Sequence, residues 1–99
     1  MVVADGVGGW EEHGIDSGRF SKQLVRNVRE VYEAAPFKEL KQVLADSVRK
    51  NFEIGSSTIV MAKFDMVRGN YIKTTNLGDS GYWIFRPHSE IPRKIELIY

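Results

Sequence analysis

Apolar residues recur at three- and four-residue spacing from residue 17 to about residue 35, at Phe20, Leu24, Val28 and Val31 or Tyr32. That period places them on one side of a helix, with Ser17 available to cap its first turn. Pro36 suits the first turn of a second helix, in which Phe37, Leu40, Leu44, Val48 and Phe52 continue the period until Gly55 ends it. The polar sides of both are rich in Lys, Arg and Glu, which reads as a solvated face. Ahead of the helices, Val2, Val3 and Ala4 form a short apolar run that stops at Asp5-Gly6, with Gly8 and Gly9 beyond, and this predicts a strand ending in a flexible turn. After Gly55 β-branched and aromatic residues take over, predicting strands over 58–64, 71–77, 82–86 and 94–99.

The breaks between these strands fall at Arg68-Gly69-Asn70, at Gly78-Asp79-Ser80-Gly81 and over 87–92. They are short enough for antiparallel hairpins, and a meander is the simplest topology. A strand, two helices and four strands make an α+β fold, an antiparallel sheet with two amphipathic helices on one face. The helices are expected to cover Ile59, Met61, Ile72, Trp83 and Phe85 or their alternates. Because strands run almost to both ends, residues 1–99 are expected to be a partial domain, incomplete at both ends, with exposed strand edges that favour self-association.

Composition narrows the function. Ninety-nine residues, 42% of them hydrophobic, make one small domain or a piece of a larger one. The absence of cysteine excludes a disulfide framework and a thiolate zinc site, and His13 and His88 are too far apart for a local metal-binding pair. Both histidines read as exposed loop residues, and Trp83 as sheet packing. Fourteen Lys plus Arg against thirteen Asp plus Glu leave a net charge of +1, short of the basic excess that nucleic-acid binding needs. No apolar run approaches the roughly 20 residues of a membrane span, and the opening lacks the pattern of a signal peptide. The chain as given reads as cytoplasmic, or as the interior of a longer precursor.

Three glycine-punctuated segments stand at predicted strand ends: Asp5-Gly6-Val7-Gly8-Gly9-Trp10, Gly55-Ser56-Ser57-Thr58 and Asn76-Leu77-Gly78-Asp79-Ser80-Gly81. The first fails as a dinucleotide fingerprint, since Glu11 stands where a third glycine is needed. Its acidic residue suits a hard divalent cation, with a glycine carbonyl beside it able to approach closely. Taken singly, Asp5-Gly6 and the segment around Asp79 read equally simply as turns, and Gly55 to Thr58 as a helix cap followed by a strand start.

In this order the three segments resemble the metal-dependent protein phosphatase 2C family, which has Asp-Gly-x-Gly-Gly, a helical pair, a Gly-Ser-Thr strand start and an Asn-x-Gly-Asp-Ser turn. Val7, Trp10, Gly14-Ile15-Asp16 and Phe20-Ser21 are most similar to its T-cell activation protein phosphatase homologue subgroup. The resemblance implies part of an α-β-β-α sandwich and Mg or Mn ions, two or three in an intact domain, that activate water to hydrolyse phosphoserine or phosphothreonine on a protein substrate. It implies that Asp5 bridges two cations, that the Gly6 carbonyl binds one, that Asp79 relates to a weaker third, and that Gly8, Gly9, Ser57 and Thr58 frame the site. Many members carry histidine where Val7 stands and arginine where Gly81 stands, which leaves the general acid unassigned. The family's acidic motif before Asp5, its phosphate-binding arginine and its two later aspartates have no counterpart, so the chain alone is expected to be inactive. An interaction module without catalysis is the alternative, compatible with the same ancestry. For the compartment, the subgroup points to a mitochondrion or plastid.

Overall fold

The computed structural model describes residues 1–67, 69 and 71–99. Strand β1 (Val2–Gly6) leads through a 3-10 helix (Gly8–His13) to helix α1 (Ser17–Ala34) and helix α2 (Leu40–Arg49). Four strands follow: β2 (Ser57–Asp65), β3 (Tyr71–Leu77), β4 (Phe85–Pro87) and β5 (Ile95–Leu97). The α+β class and the helical pair on one sheet face are therefore as expected. Gly69 is described, but Arg68 and Asn70, which flank it in the first predicted break, lie outside the described residues.

Leu24, Val28 and Val31 turn one side of α1 into the core, with Phe20 and Tyr32 packed at its margin. The cap is Asp16 rather than Ser17: the Asp16 carboxylate accepts the Gly18 N–H at 2.8 Å, where the helix N-terminus favours a negative charge. Helix α2 is shorter than expected at both ends. Pro36 and Phe37 lie in the connecting turn, where the Lys38 N–H bonds the Ala35 carbonyl. Asn51 helps end the helix region by accepting the Glu53 N–H on its side chain while donating to the Phe20 carbonyl. The buried row of α2 is Leu40, Val43, Leu44 and Ser47, so Phe37, Val48 and Phe52 are exposed, against expectation. Phe37 and Phe52 lie outside the helix, and Val48 is turned outward by rotation, since a row taken only at four-residue steps drifts around a helix of 3.6 residues per turn. Two buried polar residues join the helices, with Asn27 Nδ2 donating to the Ser47 carbonyl and Ser47 Oγ to the Val43 carbonyl.

Strands β1, β2 and β3 form an antiparallel sheet in that order, with Ala4 opposite Ile59 and Ile59 opposite Leu77. Ile59 and Met61 meet the helices as expected, while Ile72, Trp83 and Phe85 are exposed. The four-strand meander does not form: among the described residues, β4 and β5 pair only with each other. After β3 the chain doubles back across the outer sheet face: Asn76 Nδ2 donates to the Ser80 carbonyl, and the Thr74 and Tyr82 hydroxyls lie 2.6 Å apart. Tyr82 then stacks on Tyr99, with ring centroids 5.3 Å apart, and their hydroxyl interaction pushes the Tyr99 phenol above its ordinary range. The expected strands at 82–86 and 94–99 shrink to three residues each, with Pro87 contributing no N–H to the ladder. His13 is exposed, whereas His88 is half-buried and its Nδ1 accepts the N–H groups of Glu90 and Ile91.

The result is a plate of 53 × 32 × 16 Å with a radius of gyration of 16.3 Å. A compact chain of this length has a radius near 13 Å. Helices cover one sheet face, and the segment at residues 82–84 covers the other only in part, leaving a cavity of about 200 Å³. Among the described residues no helix is long and apolar enough to cross a membrane.

Ile59→Ala should cost about 3 kcal/mol of unfolding free energy, as expected for a fully enclosed aliphatic side chain. Ile72→Ala should cost less than about 1 kcal/mol, because its side chain is 44% exposed. Urea unfolding followed by circular dichroism checks the contrast, and equal losses would contradict the assignment of the two faces.

Candidate metal and phosphate site

The site begins with strand alternation. Val2 and Ala4 face the helices, whereas Val3 and Asp5 are exposed, so the Asp5 carboxylate belongs to the outer face at the end of β1. Met1 and Ala62 exchange both backbone bonds, and Val7 donates to Ser56. In an antiparallel ladder this phase gives residues 1, 3, 5 and 7 the bonds to β2 and turns the N–H and C=O of Val2, Ala4 and Gly6 away from it. The Gly6 carbonyl is thus directed out of the ladder, next to the Asp5 carboxylate in sequence.

Glycine is required at position 6. A Cβ there would stand 1.9 Å from the Ser17 carbonyl oxygen and 3.3 Å from Ser21 Oγ, so α1 starts directly against the end of β1. The segment beyond is a 3-10 helix rather than a flexible turn. Trp10 Nε1 donates to Ser56 Oγ at 2.8 Å, fixing this helix to the start of the β2 region. The signal of that anchor in the sequence is no more than an indole with a hydroxyl-rich segment 46 residues later. Added Cβ atoms at Gly8 and Gly9 would meet nothing within 4 Å, and nothing in the structure explains glycine at these positions.

Ser57 Oγ lies 3.0 Å from the Asp5 carbonyl and 2.7 Å from the Thr58 carbonyl, and its single proton can serve one at a time. Thr58 is the cross-strand partner of Asp5, and its hydroxyl lies 2.8 Å from the Ser80 hydroxyl. This second contact ties the turn carrying Asp79 to the same end of the sheet. The Ile59 to Leu77 pairing, continued one step, sets Thr58 beside Gly78, so two strand spacings, about 10 Å, separate the backbones at Asp5 and Gly78. Asp5 and Asp79 are both exposed. Gly78 has a φ of +100°, and a Cβ would stand 2.8 Å from Thr58 Cγ2. Chain reversal and the close approach to Thr58 therefore both require glycine there.

The donors at this end, two carboxylates and an outward carbonyl, are hard oxygens of the kind that Mg and Mn prefer. No group of three acidic or histidine side chains suited to a metal occurs among the described residues. Among the described residues, the hard oxygens at this end of the sheet are therefore few.

Comparison with known proteins accounts for the order of these segments. A protein of Drosophila pseudoobscura pseudoobscura described as protein phosphatase PTC7 homolog fig is 34% identical over 97% of this chain and 30% of its own length. The protein phosphatase PTC7 homolog of Xenopus laevis is also 34% identical, over 97% of this chain and 34% of its own length. Probable protein phosphatase 2C 71 of Oryza sativa subsp. japonica is 33% identical over 98% of this chain and 21% of its own length. The chain belongs to the protein phosphatase 2C family, close to its PTC7 homologues. It spans between 21% and 34% of the length of these relatives. No family model matches the chain, and no solved structure matches it.

Gly6→Ala and Gly78→Ala should each lower stability by about 1–3 kcal/mol, the cost of forcing a methyl into occupied space. Gly81→Ala should stay within about 0.5 kcal/mol, because an added Cβ there meets nothing within 4 Å. Thermal unfolding of the three variants checks this, and a Gly78→Ala protein as stable as Gly81→Ala would contradict the Thr58 contact.

Proposed function

We propose that this chain is part of a Mg- or Mn-dependent protein-serine/threonine phosphatase and contributes one portion of its metal and phosphate site. The observation that carries this proposal is the gathering of Asp5, the outward Gly6 carbonyl and the Asp79 turn at one end of one sheet. Asp5 and Gly6 would hold the divalent ions from β1, and Asp79 would add a weaker carboxylate from across β2. Bound divalent ions supply an activated water and neutralise charge on the phosphoryl group, which phosphate-monoester hydrolysis needs because the uncatalysed reaction is among the slowest known. The chain's own contribution is positional. The close approach at Gly6 fixes the strand end, Ser57 braces the Asp5 carbonyl, and the Thr58 to Ser80 contact holds the second turn. Gly8 and Gly9, within the 3-10 helix, would frame the same end. The intended substrate is a protein bearing phosphoserine or phosphothreonine.

A second reading, an interaction module with the same ancestry, is favoured by one feature. The outer sheet face and its margin expose Val3, Phe64 and Trp83, and such apolar surface suits a protein partner. The two readings separate by experiment. The 99-residue chain should release no phosphate from a phosphothreonine peptide in Mn, since two carboxylates and a carbonyl are too few to order a hydrated ion. It should nevertheless bind Mn weakly, in the range of about 0.1–1 mM by analogy with low-affinity calcium sites, measured by electron paramagnetic resonance. Asp5→Asn should weaken this binding at least about tenfold, since charged oxygen donors set the affinity, while Asp46→Asn should leave it unchanged. Equal effects of the two substitutions would overturn the metal assignment. Turnover abolished by Asp5→Asn would instead overturn the module reading.

A further inference from the structure

Beyond Gly6 the chain leaves the sheet, yet the proposed metal donors stand at that end of the strand, where a ladder opens most easily. Two consecutive serines, Ser56 and Ser57, act against this. The Ser57 hydroxyl lies 3.0 Å from the Asp5 carbonyl. The Ser56 carbonyl accepts the Val7 N–H at 3.0 Å, one step past the last paired position, Gly6 with Ser57. The Ser56 hydroxyl accepts the Trp10 indole N–H at 2.8 Å. Gly6 is thus bracketed on both sides by contacts to one dipeptide.

The Val7 bond matters most for the metal site. The Gly6 C=O and the Val7 N–H belong to one peptide group, which is trans and planar, so the two point in opposite directions. Directing the N–H at Ser56 therefore directs the carbonyl away from β2, and any rotation of that plane would carry both groups with it. Ser56 precedes the ladder, since β2 begins at Ser57, and so needs support from outside the sheet. One support is α1: a Cβ at the adjoining Gly55 would stand 3.0 Å from Phe20 Cβ, which sets this segment close against the helix. The other is Trp10. Its N–H bonds the Val7 carbonyl at 3.4 Å, its carbonyl accepts the Ile15 N–H at 3.2 Å, and its ring meets that of His13 edge-on, with centroids 6.2 Å apart. Trp10 and Ser56 are both half-buried, so water competes little for the bond between them.

We propose that Trp10 is a positioning residue for the divalent-ion site: through Ser56 it holds the Gly6–Val7 peptide so that the Gly6 carbonyl faces the ion. This inference rests on the metal reading given above. Trp10 would touch neither ion nor substrate. Its part is that of an outer support, a bond that fixes the direction of a ligand, so its loss lowers metal affinity while every donor stays in place.

The test is Mn binding to the 99-residue chain by electron paramagnetic resonance, with Asp5→Asn as the reference. Trp10→Phe keeps an aromatic ring and removes the donor, and Ser56→Ala removes the acceptor. Each should keep its circular dichroism spectrum, weaken Mn binding about tenfold and speed amide exchange at Val7. The double variant should bind no more weakly than either single one, because both lose the same bond. Ser56→Thr, which retains the hydroxyl, should bind Mn as the parent chain does. Should Trp10→Phe lose its spectrum, the contrast between Ser56→Ala and Ser56→Thr decides alone. Equal losses in those two, or additive losses in the double variant, would reduce the pair to packing and overturn the positioning role. Unchanged affinity in Trp10→Phe and Ser56→Ala, with Asp5→Asn weakening it, would overturn this inference alone. Insensitivity to Asp5→Asn would overturn the metal reading beneath it.

Discussion

The contact on which the rest depends is the approach of α1 to the end of β1 at Gly6. A side chain of any size at that position would meet the Ser17 carbonyl at 1.9 Å, within covalent-like range, so helix and strand are set against each other backbone to backbone. With the helix start so placed, Asp16 caps it, Ser21 and Leu24 enter the interface, and Val2 and Ala4 find the helix side of the sheet. Alternation then leaves Asp5 on the other face. The carboxylate and the neighbouring carbonyl are thus presented by packing, and the packing is possible because position 6 has no side chain.

The second half of the site is held by a different kind of contact. Gly78 reverses the chain in a left-handed conformation against Thr58, and the Thr58 hydroxyl meets that of Ser80. Residues at the ends of three adjacent strands are linked through the central one, β2. For the proposed metal site, such an arrangement would gather oxygen donors without histidine or cysteine, the donor chemistry hard cations favour. Among the described residues, the buried apolar core behind it is small, eight residues from the two helices and β2. A plate 16 Å thick has little with which to offset chain entropy, and the apolar side chains on its outer face add nothing while they face water.

Much of this was legible in the residues. The apolar stripe of α1 and the inward pair Ile59 and Met61 follow directly from period, because tertiary packing used the face that the pattern marked. The glycine segments were legible as a set, since Gly6 and Gly78 both occupy places where a Cβ has no room. What escaped was non-local. The burial of Ser47 and Asn27 depends on their pairing across the two helices, which no apolar pattern encodes. The failure of β4 to join β3 depends on Asn76 and Thr74 capturing the returning chain over the outer face, which leaves Ile72, Trp83 and Phe85 exposed where period alone places them under the helices. The 3-10 helix that replaced the expected turn is held by Trp10 reaching Ser56, again a contact between distant segments.

Paramagnetic broadening by Mn tests the convergence of donors most directly. In a two-dimensional amide spectrum of the chain, substoichiometric Mn should erase the signals of Asp5, Gly6, Asp79 and Ser80 together and first, because donors from both strand ends would surround one cluster of ions. Broadening that instead spreads equally over the other acidic surface, around Glu11, Glu12 and Asp46, or that takes Asp5 and spares Asp79 and Ser80, would contradict a common site.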